Sequence, residues 1–110
     1  MKEITIAKDF SRHPAGRYVT DGKYSGQKFR EAFLEPQVIN HERTIIYFDG
    51  ARGYGSSFLE EAFGGLARKF DKDIVLAIFE FKSHDINLIK RIKTYIRDAK
   101  EYKHGRRAAG

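Results

Sequence analysis

Hydrophobic and polar positions divide the chain into short segments of alternating type. Glu3–Ala7 alternates as a first strand. Asp9–Asp21 is irregular, with Pro14, Gly16 and an Asp21-Gly22 turn signal around a short extended stretch at Arg17–Thr20. Ser25 is placed to cap a helix running to about Leu34, with Phe29, Ala32 and Phe33 on one face and Pro36 as its stop. Thr44–Phe48 (TIIYF) is apolar at nearly every position, the pattern of a strand covered on both faces. Ser57–Phe70 has Phe58, Leu59, Ala62, Phe63, Leu66 and Phe70 at helical spacing. Ile74–Phe81 (IVLAIFEF) reads as a second continuous apolar strand, and Ile86–Tyr102 as a final amphipathic helix.

This alternation predicts an α/β domain with a small, mainly parallel or mixed sheet of about four strands and helices packed on it. Parallel strands joined by helices bring the helix starts to the carboxyl ends of the strands, where open α/β sheets bind ligands. With Arg17–Thr20 as a strand beside Thr44–Phe48, the loops Asp21–Gly26 and Asp49–Ser57 converge there. They would gather Asp21, Lys23, Ser25, Lys28, Asp49, Arg52, Ser56 and Ser57 into one polar patch.

The second of these loops is the most informative. Asp49 ends an apolar strand, Gly50, Gly53 and Gly55 follow, and Ser56-Ser57 open a helix. Ser57 with Glu60 has capping-box spacing, in which hydroxyl and carboxylate satisfy free amides at a helix start. Two hydroxyls where backbone amides face outward suit a phosphate, either bound or attached to a serine. No Lys-Ser/Thr pair follows the glycines, so the loop is not a P-loop, although Arg52 could clamp a nucleotide phosphate there. Tyr54, a large aromatic between two glycines, reads as an interface anchor with little local structural purpose. Gly64-Gly65 inside a helix points to close packing, within the fold rather than on a partner.

A length of 110 residues bounds the chain to one domain, taken as residues 1–104 with a basic, mobile tail at 105–110. The absence of cysteine removes disulfides, thiolate metal sites and a cysteine nucleophile. MKEITIAKDF lacks the apolar core of a signal peptide, and no run approaches the ~20 residues of a membrane span. The expectation is a cytoplasmic protein without a membrane partner.

The net charge of +6 is carried entirely by the end of the chain. Residues 1–81 hold 12 Lys/Arg and 12 Asp/Glu, whereas residues 82–110 hold 9 and 3. On the last helix Leu88, Ile89, Ile92, Tyr95, Ile96 and Ala99 share one side, and Lys90, Lys93, Arg97 and Lys100 lie on another. That basic face is either a solvated surface or, with Lys103, Arg106 and Arg107, a grip on nucleic-acid phosphates.

Positive signs of catalysis are absent from the pattern. His13, His41, His84 and His104 are scattered, and none pairs with a carboxylate at ligand-like spacing, so no metal site is expected. Glu60 and Glu61 point about 100° apart on a helix and form no dyad. The Gly-x-Ser-x-Gly elbow is missing around Ser56. The reading is a non-enzyme without a cofactor.

The stretch GYGSSFLEEAFGGL, with GRYVTDGKYSGQKFRE and IIYFDG upstream, resembles a STAS-like family of small prokaryotic proteins. That family is related to the sulphate-transporter and anti-sigma-factor-antagonist (STAS) superfamily, and the resemblance covers roughly Ile4 to Phe81. It implies a STAS-like fold and a regulatory module that binds a protein partner. The partner it implies is a histidine-kinase-type ATPase acting as serine kinase or anti-sigma factor. In classical antagonists the first serine of an Asp-Ser-Ser-Gly motif is phosphorylated. Ser56 matches it, with Ser57 as the capping neighbour, while Gly55 and Phe58 replace the flanking aspartate and glycine. The implied interface has Arg52, Tyr54, Gly55, Phe58 and Glu61 around Ser56.

Overall fold

The computed structural model describes residues 1–99. Three strands, β1 (Lys2–Thr5), β2 (Thr44–Tyr47) and β3 (Phe79–Lys82), form a fully parallel sheet in the order β1-β2-β3. The register sets Ile4, Ile46 and Phe81 side by side, and all three are buried. On the other face Ile45 and Tyr47 are half-buried, and Glu3, Glu80 and Lys82 are exposed. The sheet is therefore covered on one face among the described residues. This corrects the expectation for Thr44–Phe48, where β-branched residues on both faces imitate a strand buried on both sides.

Between β1 and β2 runs α1, made of Gly26–Phe29, a π-helical turn Arg30–Leu34 and Glu35–Ile39. Between β2 and β3 run α2, made of Ser56–Leu59, a π-helical turn Glu60–Gly64 and Gly65–Phe70, and then α3 (Lys72–Ile78). After β3 comes α4 (Ile86–Asp98). The central helix is α2, which contacts both α1 and α4 and meets the sheet through Phe63, 5.4 Å from Phe81 and 5.8 Å from Phe48 between ring centroids. Every residue from Glu61 to Ala67 is buried, as expected of a helix enclosed on all sides. At Gly64 and Gly65 the missing side chains leave room for the charged ends of Glu60 and Arg30. A Cβ on Gly65 would lie 2.7 Å from Arg30 Nη1, and one on Gly64 would lie 2.6 Å from Glu60 Oε2. The close packing expected for this pair is internal.

Several elements differ from their expected form. The first strand ends at Thr5, where the chain tightens into a π-helical turn, Ile6–Phe10, and Asp9 accepts the Thr5 N–H at 2.8 Å. Arg17–Thr20 is not a strand. The Asp21 carboxylate accepts the Arg17 and Tyr18 N–H groups at 3.2 and 2.8 Å and curls the segment into a 3-10 turn, Val19–Asp21. The sheet consequently has three strands rather than about four. Pro36 does not stop α1, because the π turn before it shifts the hydrogen-bond register where proline has no N–H to give. Ile74–Phe81 is divided between α3 and β3, an uninterrupted apolar run having no period to separate helix from strand. Asp71, at φ 94°, makes the sharp break between α2 and α3. The last helix ends at Asp98, short of the expected Tyr102, because Ala99 is already extended at φ −65° and ψ 135°; the tail lies outside the described residues.

Candidate functional site

At the carboxyl end of the sheet the loops after β2 and β3 are joined through Asp49. Its carboxylate accepts the His84 N–H at 3.2 Å and the Ser83 hydroxyl at 3.1 Å, and its second oxygen lies 2.5 Å from His84 Nδ1. The His84 backbone N–H, aided by the His84 ring and the Ser83 hydroxyl, holds the Asp49 carboxyl below its ordinary range although desolvation opposes it. The His84 side chain is otherwise open to solvent, 98% exposed. Ser83 Oγ also accepts the Asp85 N–H at 3.0 Å, and Asp85 caps α4 by accepting the Leu88 N–H at 3.2 Å. Sequence spacing could not show the Asp49–His84 pair, since 35 residues separate its members.

The glycine loop is pinned at several points. Arg52 N–H donates to the Arg12 carbonyl at 2.9 Å. The Tyr54 hydroxyl donates to the Phe48 carbonyl at 2.6 Å, and its ring packs edge-on against Phe48 at 5.4 Å. Burial, aided by the Asp49 charge, raises the Tyr54 phenol well above its ordinary pKa. Tyr54 thus has the structural purpose that its glycine neighbours concealed: it closes the loop over the end of β2.

Beyond Tyr54 the chain enters α2 with Gly55, Ser56 and Ser57 all exposed. The expected capping box is not formed. The N-cap is Gly55, no side chain caps it, and the Glu60 carboxylate is engaged elsewhere. The start of α1 is closed by contrast. Ser25 is buried and accepts the Lys28 N–H at 3.1 Å, and the Gly26 and Gln27 N–H groups donate to the Gly16 and Arg17 carbonyls, each at 2.9 Å. The start of α2 thus faces solvent, whereas that of α1 does not.

The eight-residue polar patch is therefore divided. Asp21 is bound to its own turn, Ser25 is a buried cap and Asp49 is bound to Ser83 and His84. Lys23 and Lys28 line a separate shallow depression with Val19 and Tyr24. Arg52, Ser56 and Ser57 remain exposed on the glycine loop. The interface drawn around Ser56 contracts in the same way. Arg52 and Gly55 are exposed and Tyr54 is half-buried, whereas Phe58 is 0% and Glu61 5% exposed. Phe58 packs against Phe29 in the core, so neither it nor Glu61 stands at a surface rim.

Glu61 belongs to an ion-pair network that joins α1, α2 and the segment before α1. It pairs closely with Arg30 and lies 3.4 Å from Arg17. Glu60 meets Arg17 and Arg68, each at 2.5 Å, and Glu35 meets Arg30 and Lys69, each at 2.9 Å. The Arg68 hydrogen bond, followed by that of Arg17, holds the Glu60 carboxyl below its ordinary range although burial opposes it. Among the described residues, no group of three or more His, Asp or Glu is placed to hold a metal ion.

On α4, Leu88, Ile92 and Ile96 are buried, with Ile89, Tyr95 and Ala99 packed against the core, as the helical spacing requires. Lys90 and Arg97 are exposed and Lys93 half-buried, while Lys100 lies outside the described residues. Among those residues no helix is long and apolar enough to cross a membrane.

A search of curated proteins and a search of solved structures each give no match. The family model described as "STAS-like domain of unknown function (DUF4325)" matches residues 25–87. That span runs from the Ser25 cap through α1, β2, the glycine loop, α2, α3 and β3 to the first turn of α4. With a parallel α/β sheet, helices packed on it and the family match over more than half its length, the chain belongs to this STAS-like family.

Proposed function

We propose that the domain is a non-catalytic regulatory module that binds a protein partner through the carboxyl end of its sheet, and that phosphorylation of Ser56 switches the binding. The observation that carries this reading is the contrast across a few residues at the start of α2. Ser56 and Ser57 are exposed at a helix start without a side-chain cap, while Phe58 and Leu59 immediately after them are 0% exposed. A charge added at Ser56 changes the surface and leaves the core in place.

A phosphate there would bring about −1.5 to −2 charges to the positive end of α2. Within the domain it stabilises by about 0.3–1 kcal/mol. Against an acidic or apolar partner surface the same group opposes docking. Binding then changes while the fold does not. The partner that the family resemblance supports is a histidine-kinase-type ATPase acting as serine kinase or anti-sigma factor, with Arg52, Tyr54 and Gly55 beside Ser56 at the contact.

The test is capture from native lysate with wild type, Ser56→Ala and Ser56→Asp at two salt concentrations, read by mass spectrometry. A protein held by wild type and Ser56→Ala but absent from Ser56→Asp supports the switch. Equal capture by all three, or nucleic acid alone released at high salt, removes it.

A further inference from the structure

At the end of the sheet opposite Ser56, a cavity of about 490 Å³ opens between the strand starts and α4. Its exposed lining is more polar than apolar: Arg43, Lys93 and Arg97 supply cations, and Ile45, Leu76 and Ile78 add a smaller apolar wall. The acidic groups nearby already have partners. Glu80, which lines the cavity, is 3.0 Å from Lys82 Nζ, and Glu42 is 3.7 Å from the Met1 ammonium, which also lines it. Arg43, Lys93 and Arg97 make no ion pair among the described residues. The cavity therefore has an excess of cations that no carboxylate of the described fold neutralises.

A second feature comes from the sheet edge. β3 pairs with β2 alone among the described residues, and the Lys82 carbonyl accepts the Phe48 N–H at 3.0 Å on that side. Backbone groups alternate sides along a strand, so the Phe81 amide and carbonyl turn to the outer edge. Phe81 is itself part of the cavity lining. The cavity thus combines cations, a smaller apolar wall and an unpaired main-chain donor and acceptor.

Inorganic phosphate would use only the first of these three features. A phosphate ester of an aromatic heterocycle uses all of them, and the volume lies within the 300–1,000 Å³ usual for small-molecule sites. We propose that this cavity binds a mononucleotide. Arg43, Lys93 and Arg97 take the phosphate, while the base lies on the apolar wall and hydrogen-bonds the Phe81 main chain. The site is separate from the glycine loop, at the other end of the strands.

Calorimetric titration of the full chain with adenosine and guanosine monophosphates, inorganic phosphate, adenosine and a single-stranded oligonucleotide tests the assignment. At least one mononucleotide should bind at least about tenfold more tightly than inorganic phosphate or the nucleoside, since each of those lacks half of the contacts. The double variant Lys93→Gln/Arg97→Gln should weaken it by at least about tenfold. Ala77→Trp, at an exposed position lining the cavity, should block it, and Lys90→Gln should leave it unchanged. Circular dichroism and the Tm of each variant verify the fold. Three results would overturn the proposal: no mononucleotide binding by wild type at millimolar concentration, binding indifferent to Ala77→Trp, or binding of the oligonucleotide alone that falls with salt and with Lys90→Gln. The last outcome would assign α4 to the nucleic-acid backbone.

Discussion

Replacing Gly26 with alanine puts two opposing effects in competition, and the structure decides between them. Gly26 is the first residue of α1 after the Ser25 cap, where alanine improves helix propensity by at most about 1 kcal/mol. A Cβ at this position, however, would lie 2.4 Å from the Phe58 carbonyl oxygen, 3.1 Å from Glu61 Cβ and 3.2 Å from Ala62 N. The first distance is about 1 Å short of ordinary contact. The obstacle is the backbone of α2, so no flexible side chain can swing aside. The helices must separate where Phe29 and Phe58 are both fully buried. Overpacking costs about 1–3 kcal/mol, and with backbone on both sides the upper end applies. The net expectation is a loss of about 2 kcal/mol. At about 4–8 °C per kcal/mol for a domain of this size, Tm should fall by roughly 8–16 °C. Gly53→Ala is the control, since a Cβ there has nothing within 4 Å and the backbone is not in the left-handed region. It should be neutral, or stabilising by about 0.4–1 kcal/mol. Thermal and urea unfolding followed by circular dichroism measure both. A Gly26→Ala protein as stable as wild type would refute the close α1–α2 contact.

Other outcomes follow from the same geometry. Glu61→Gln leaves Arg30 and Arg17 short of a buried partner, and with Glu35 still holding Arg30 the loss should be about 2 kcal/mol in urea unfolding; an unchanged midpoint would contradict the network. Because the Arg68 and Arg17 hydrogen bonds lower the folded pKa of Glu60, its contribution is complete above its ordinary value of about 4.5 and is lost as pH falls through the lowered one. Wild type should therefore lose stability on acidification more steeply than Glu60→Gln. The Tyr54 phenol has a raised folded pKa, so its contribution is complete below about pH 10 and lost as pH rises above it. Tyr54→Phe should lose about 1 kcal/mol at neutral pH through the unpaired Phe48 carbonyl. Because the Tyr54 phenol stays protonated at pH 10, phenolate absorbance there should be the same in both proteins.

What was legible in the sequence was what repeats locally. The faces of α2 and α4 follow the 3.6-residue period, and Ser25 caps α1 through its own near neighbour Lys28. What was not legible depends on partners distant in sequence, or on one side chain choosing between two partners. Glu60 abandons the Ser57 capping box because the guanidinium groups of Arg17 and Arg68 make stronger, charge-assisted hydrogen bonds than a free amide does. Asp21 takes Arg17–Thr20 out of the sheet by accepting two backbone N–H groups. The π turn Glu60–Gly64 inserts a residue into α2 and widens its buried sector, which carries Glu61 inward beside Phe58. At the carboxyl end, Asp49 and His84 meet only because β2 and β3 are neighbours in the sheet.

The most direct test of the proposed switch is to titrate the captured partner into wild type and Ser56→Asp by calorimetry, with the Tm of each protein measured alongside. The account predicts an affinity reduced by at least about tenfold in Ser56→Asp, with Tm unchanged or slightly raised by the charge at the start of α2. Equal affinities with equal Tm values would contradict it, because Ser56 would then lie outside the contact.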